Sequence, residues 1–423
     1  MMPSPYPLEE ELGMRYYASV TPGIGGRLRS SPEDFVVEEL PLPIRDPDGP
    51  YLICQLTKKN WELQRAVKEI AKQLGISHRR IAWAGTKDKN AVTTQLISIY
   101  DISPEEAGRV HLKDISLEVV GRSQHQIALG GLAGNRFEIV IQDCIPENLS
   151  ERVQAVTEVA SAGIPNYYGL QRFGVVRPVT HIVGESILKG DYEGAVVTYV
   201  GRAYPRESEE AQRARTHFAE TRDARAALAD LPIQMTYERA MANHIVANPG
   251  DYAGALRALP PKLLSLLVSA SQSYLFNCAL SCRIGAGLSL SQPEVGDRLL
   301  FLNGREDIVT ARNQKAAELQ IRRGRCQIAI FIPGSGPIVS HGRMDEIMQE
   351  LMQKSGVDAG DFERASRFVE TKFAGVLRPV ALSTDVQADV SDASVRLRFT
   401  LPPGHYATTV CREYMKADPY MMI

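Results

Sequence analysis

Short strand-like runs, repeated through the first third of the chain, limit most what it can fold into. Residues 35–37, 51–60, 80–84, 92–102, 114–123, 125–130 and 135–143 are rich in β-branched and aromatic side chains, with turn formers or charges between them. Two helices interrupt this pattern. In one, Leu63, Ala66, Val67, Ile70, Ala71 and Leu74 recur at helical spacing, with Asn60 expected as the cap and Gly75 as the stop. The other covers residues 149–162. Strands with a few helices between them point to an α+β or mixed first half. The same alternation returns at the far end, where ASVRLRFTL and HYATTVCREYM read as a closing strand pair. The middle is therefore expected to be an insertion, with the two ends of the chain sharing one sheet. A length of 423 residues also exceeds one average core, which suggests two domains.

The middle differs in character. NYYGLQRFG (166–174) is aromatic and glycine-rich. Residues 202–248 are charged and helical, and 263–284 read as one long helix. Residues 312–333 read as strands around the turn RRGR, followed by helices over 344–353 and 362–368.

A net charge of -2, from 48 basic and 50 acidic residues, excludes a blanket of positive charge but leaves room for a local basic groove. Of the six cysteines only Cys278 and Cys282 are close, on one helix face. No adjacent pair completes a four-ligand zinc set, so no metal is expected. Scattered thiols suit a reducing cytosol. The stretch MMPSPYPLEEELGM is acidic and proline-broken, unlike a signal peptide, and no apolar run reaches the ~18 residues that span a membrane. The expectation is a soluble cytoplasmic protein without membrane contact.

AGTKDKNAVTTQ (84–95) puts Asp88 between Lys87 and Lys89, just after a strand. A turn aspartate paired to its lysines is the plain reading. The sharper one is a carboxylate kept ionised by cations at a strand end, as a nucleophile requires. Arg29, in a basic turn before Phe35, is either a solvated surface charge or a fixed partner for Asp88 that faces phosphate. GGLAGNRF (130–137) matches neither phosphate-loop fingerprint and reads as a hairpin turn. Its Phe137 fits either a core or base stacking. Tyr167, Tyr168 and Phe173 beside Arg172 fit RNA contact or a packed junction equally. Glu38 or Glu39 would be the second carboxylate of a glycosidase-like alternative.

Together, SPEDFVVEE, AGTKDKNAVTTQ, LGGLAGNRFEI, NYYGLQRFG, SYLFN, LRPV and FTLPPGHYATTVCRE resemble, in order and over nearly the whole chain, the TruD family of tRNA pseudouridine synthases. The resemblance implies conversion of uridine to pseudouridine in tRNA, at position 13, without metal or organic cofactor. It implies an α+β catalytic domain with a mixed, mainly antiparallel central sheet flanked by helices, over residues 1–165 and 377–423. An α/β TRUD insertion domain would occupy 166–376, longer than in compact bacterial members and closer to archaeal ones. Asp88 matches the family's nucleophile in G-x-K-D, and Arg29 stands where many members have lysine as its basic partner. Phe137 and Asn135 match the GN-x-F motif, for stacking on the base and orienting it. Lys87, Lys89, Phe35 and Arg172 complete the implied substrate-binding set.

Overall fold

The computed structural model describes residues 1–44 and 48–422. The chain divides into two compact units, one of Ala18–Ile164 with Ser383–Ile423, the other of Met1–Tyr17 with Pro165–Leu382.

The first unit is built on a nine-stranded sheet. Its strands are β1 (Gly25–Arg27), β2 (Phe35–Pro41), β3 (Tyr51–Lys59), β4 (Ile81–Trp83), β5 (Val92–Tyr100), β6 (Ile115–Ser123), β7 (Leu132–Cys144), β8 (Gln387–Ser391) and β9 (Ser394–Leu401). Along the sheet the order is β8-β9-β7-β2-β5-β3-β6, with β1 on the end of β7 and β4 on β5. Only β2 and β5 run parallel; every other pairing is antiparallel. The late strand β9 lies beside β7, in register from Val395 opposite Ile141 to Leu401 opposite Asn135. The two ends of the chain therefore share this sheet.

Strand register decides what lies on each face. Opposite residues point the same way, so Phe399, Phe137, Val37, Thr93 and Lys58 form one row across five strands. Leu401, Asn135, Glu39, Gln95 and Leu56 form the next row on the same face. Farther along that face, Leu52, Cys54, Ile97 and Ile99 bury against Val67 and Ile70 of the helix Leu63–Gln73. The opposite face carries charge instead, including Glu38 paired to Arg136 at 2.9 Å and Glu138 to Arg398 at 2.9 Å.

Several local expectations need correction. Asn60 does not cap the helix Leu63–Gln73; the Glu62 carboxylate accepts from Gln64 N and Arg65 N, while Asn60 sits in the left-handed region. Residues 125–130 form a turn rather than a strand, with Gly130 N donating to Ala84 O at 2.7 Å. The segment HYATTVCREYM is not a strand but contains the helix Ala407–Met415. All of its residues are buried, although Ala407, Val410, Cys411, Tyr414 and Met415 recur at helical spacing between Thr408, Thr409, Arg412 and Glu413. Within 312–333, the stretch read as strand forms the helix Gln314–Arg322 before the strand Cys326–Ile332.

The second unit is helical around the helix Pro261–Gly285, with a four-stranded antiparallel sheet of Glu306–Ile308, Arg298–Phe301, Cys326–Ile332 and Val376–Pro379. Pro261–Gly285 is long and apolar enough to span a membrane, but 72% of its most apolar window is buried inside the fold, as in a core helix. Gly184 of the neighbouring helix Thr180–Lys189 allows close packing there, since a Cβ would stand 2.0 Å from Leu267 O. Residues 1–17 group with this unit, although the sequence reading placed them with the segment that follows. Asn277 Nδ2 donates to Leu12 O at 3.0 Å and Ser281 Oγ to Gly13 O at 2.6 Å.

Candidate active site

The loop between β4 and β5 lies over the two rows described above and is tied down at three points. Lys58, wholly buried in β3, donates to the main-chain carbonyl of Asp88 at 2.7 Å. Lys87 reaches back into the sheet and donates to the buried Glu39 Oε2 at 2.6 Å. Gln95 Nε2 donates to Gly85 O at 3.0 Å. These bonds hold the loop by its backbone and its inward side chain, leaving the Asp88 carboxylate outward, with its side chain 47% exposed.

Arg29 meets that carboxylate. Its Nη2 donates to Asp88 Oδ2 at 3.1 Å, and its own side chain is only 9% exposed. The backbone at Arg29 takes φ 57°, a left-handed conformation that costs a non-glycine residue roughly 1–2 kcal/mol. The guanidinium lies 4.2 Å over the ring of Phe35, which fixes its direction from beneath. Phe35 in turn meets Phe137 edge-on at 6.5 Å, and Phe137 stacks on Phe399 at 5.5 Å. An apolar aromatic floor thus adjoins the ion pair. Phe137 is 7% exposed, so most of its surface is already packed.

Burial pulls the Lys58 ammonium down to about 8. Asp88 and Glu62 work against that shift, and Lys87 works with it. Three further polar atoms of these rows are left over: Thr93 Oγ1, Gln95 Oε1 and Asn135 Oδ1. Asn135 Oδ1, next to Glu39 in the second row, is buried without a hydrogen-bond partner. A buried carbonyl left so costs about 1–3 kcal/mol unless a ligand or water meets it.

In sequence the chain matches the family profile described as tRNA pseudouridine synthase D (TruD) over residues 11–414. The chain belongs to the tRNA pseudouridine synthase D family. It is accordingly an isomerase. It is 39% identical to a probable tRNA pseudouridine synthase D of Methanococcoides burtonii over 98% of each chain. It is 39% identical to one of Methanosarcina acetivorans over 100% of each. The crystal structure of the putative tRNA pseudouridine synthase D from Methanosarcina mazei superposes with a TM-score of 0.83, at 37% identity and covering 98% of both chains.

The structure brings Asp88, Arg29, Phe35, Phe137, Asn135 and Lys87 into one region of the first unit. Lys89 stands exposed at the end of the same loop. Lys87 does not extend outward with it, because its charge is spent on Glu39 inside. Arg172 belongs to the second unit, where its Nε donates to Ser273 Oγ at 2.9 Å. There the motif NYYGLQRFG is largely a packing junction. Tyr167 and Phe173 are fully buried, Arg378 of LRPV donates to Asn166 Oδ1 at 2.9 Å, and Tyr168 N donates to Asn277 Oδ1 of SYLFN at 2.9 Å. Neither glutamate of the glycosidase-like alternative is free to assist Asp88. Glu38 lies on the opposite sheet face, and Glu39 is held by Lys87. Among the described residues no three His, Cys, Asp or Glu side chains gather as a metal site.

Sequence reasoning passed over Lys58 and Gln95. A signal was present for the first: Lys58 falls in register with Leu52, Cys54 and Leu56, on the buried face of its strand. Glu39 likewise shares the inward register of Phe35 and Val37. Charges on an apolar face imply partners, and those partners are the loop that carries Asp88.

Proposed function

We propose that this isomerase converts uridine to pseudouridine in tRNA, at position 13, with Asp88 as the nucleophile or base. The observation that carries this reading is a carboxylate fixed by its backbone from below, paired with an oriented arginine, and open to solvent on its outer side. The reaction breaks the bond from C1′ to N1, turns the uracil, and forms a bond from C1′ to C5. The C5 proton is lost and N1 gains one, so atoms balance without water, oxidant or metal. Asp88 serves either by attacking C1′ or by taking the C2′ proton, and both routes need it ionised. Closure of a base over the site would remove water and so disfavour a bare charge, which the Arg29 guanidinium and Lys58 ammonium offset.

The target base must leave its stack to reach the site. The aromatic floor of Phe35, Phe137 and Phe399 would receive it, with the remaining face of Phe137 against the uracil. The unmet Asn135 Oδ1 would accept from a uracil N–H and so orient the ring. Lys89 would meet phosphate, while Lys87 holds the loop. Arg172 would contact RNA from its own unit. A tRNA substrate implies action in the cytoplasm.

The test is pseudouridine-specific chemical mapping of unmodified tRNA after incubation with the protein and with Asp88→Asn. A stop at one uridine, absent with the variant, supports the reaction, its position and the nucleophile together. Bound but unconverted tRNA with the parent protein would reduce the chain to an RNA-binding relative.

A further inference from the structure

The second unit holds a cavity that the isomerase chemistry does not use. The strands Arg298–Phe301 and Glu306–Ile308, with the helix Gln314–Arg322, enclose about 430 Å³, within the range of small-molecule sites. Its floor is apolar, from the buried Leu299 and Ala317. On one wall the Arg305 guanidinium lies over Phe301, 3.9 Å from the ring centroid. Gln320 and Arg325 also line it, as do Asn303, Asn313 and the acidic Asp307.

The surroundings are strongly cationic for a chain of net charge -2. Arg312, Lys315, Arg322, Arg323 and Arg325 follow within one helix and its flanks. Against them stand Glu318, in loose contact with Arg322 at 4.0 Å, and Asp307, equally loose with Arg305 at 4.0 Å. Both contacts are at surface distance, where an ion pair is weak. With Arg305 counted, six basic residues over 305–325 face three acidic ones, Glu306, Asp307 and Glu318, which leaves a local excess of positive charge beside a stackable platform. Together these features match a base that stacks on a guanidinium while its phosphates meet arginines.

We propose that this cavity binds an unstacked nucleotide of the RNA substrate, away from the uridine that is modified. The base lies on Arg305 above Phe301, Gln320 reads its edge, and Arg325 holds its phosphate. The assignment rests on the reading that the substrate is RNA. It places a single-strand grip in the second unit.

The experiment uses the full chain and two fluorescent probes, an oligouridylate of about eight nucleotides and an RNA duplex of equal phosphate count. Affinities are read by anisotropy for the parent protein, Arg305→Ala and Gln320→Ala, with melting curves to confirm folding. Arg305→Ala should weaken oligouridylate binding about tenfold and duplex binding about twofold or less, since stacking is lost while most charge remains. Gln320→Ala should weaken the oligouridylate alone, and the KM for tRNA should rise with both variants. Equal losses on the two probes would show a charge patch without a nucleotide pocket and overturn the proposal, as would unchanged oligouridylate affinity. The readout is separable from the reaction. If the parent protein fails to convert tRNA yet binds through Arg305, the activity reading falls and the cavity assignment stands.

Discussion

Lys58 binds the main chain of Asp88 rather than its carboxylate. The 2.7 Å bond to the carbonyl fixes where the residue sits and leaves both carboxylate oxygens for Arg29 and substrate. A buried ammonium bonded to the carboxylate itself would hold the charge and block it. Here the positive field is supplied from behind while the reactive group stays open.

Asp88→Asn should keep the loop in place, because Lys58, Lys87 and Gln95 grip other atoms. Conversion should fall by roughly a thousandfold or more while tRNA affinity holds. Single-turnover assays with a binding titration check this. Appreciable turnover by the variant would remove Asp88 from the chemistry.

Lys58 gives the site a pH signature. Its folded value, about 8, lies below the ordinary 10.5. Between those two values the unfolded chain holds a proton that the folded protein has released. Stability attributable to this group therefore rises with pH across that window, and below it the burial cost stands in full. Activity should move the other way, falling as pH rises through about 8, because the charge behind Asp88 is lost. Lys58→Arg, which stays charged, should shift that fall to higher pH. Identical pH–rate profiles for the two proteins would show that the charge is not used.

Phe137 is both packed and proposed to stack. Phe137→Leu keeps most of its volume, so stability should drop by less than about 1.5 kcal/mol. Losing the planar face should lower conversion about tenfold. Urea melts and initial rates separate the two effects. A stability loss as severe as the activity loss would make Phe137 a core residue only.

The Lys87–Glu39 pair should behave as a buried ion pair. Lys87→Met or Glu39→Leu alone should cost about 3–5 kcal/mol, since each leaves a charge without its partner. Combining Lys87→Met with Glu39→Leu should recover most of that loss. A double-mutant cycle by denaturant unfolding measures the coupling.

Much of the framework was legible. The strands β2, β3, β5 and β7 and the helix Leu149–Ala162 lie where alternation and periodicity place them. Where the reading missed, a local signal was absent or misleading. The helix Ala407–Met415 does carry a helical period, at Ala407, Val410, Cys411, Tyr414 and Met415, but the β-branched run Thr408, Thr409 and Val410 imitates a strand. Glu62, directly before Leu63, holds the N-cap position, and Asn60 lies two residues earlier in the left-handed region.

The sequence alone determined the family, through an ordered set of short motifs, and it singled out Asp88 and Arg29 as candidates. Tertiary structure alone decided how they are held. Lys58 stands 30 residues from Asp88, and Glu39 stands 48 residues from Lys87. Their meeting depends on which strands are neighbours and on the register between them. A shift of one residue would turn Lys58 and Glu39 to the opposite face of the sheet. No local pattern states that register; it is set by the whole sheet packing at once.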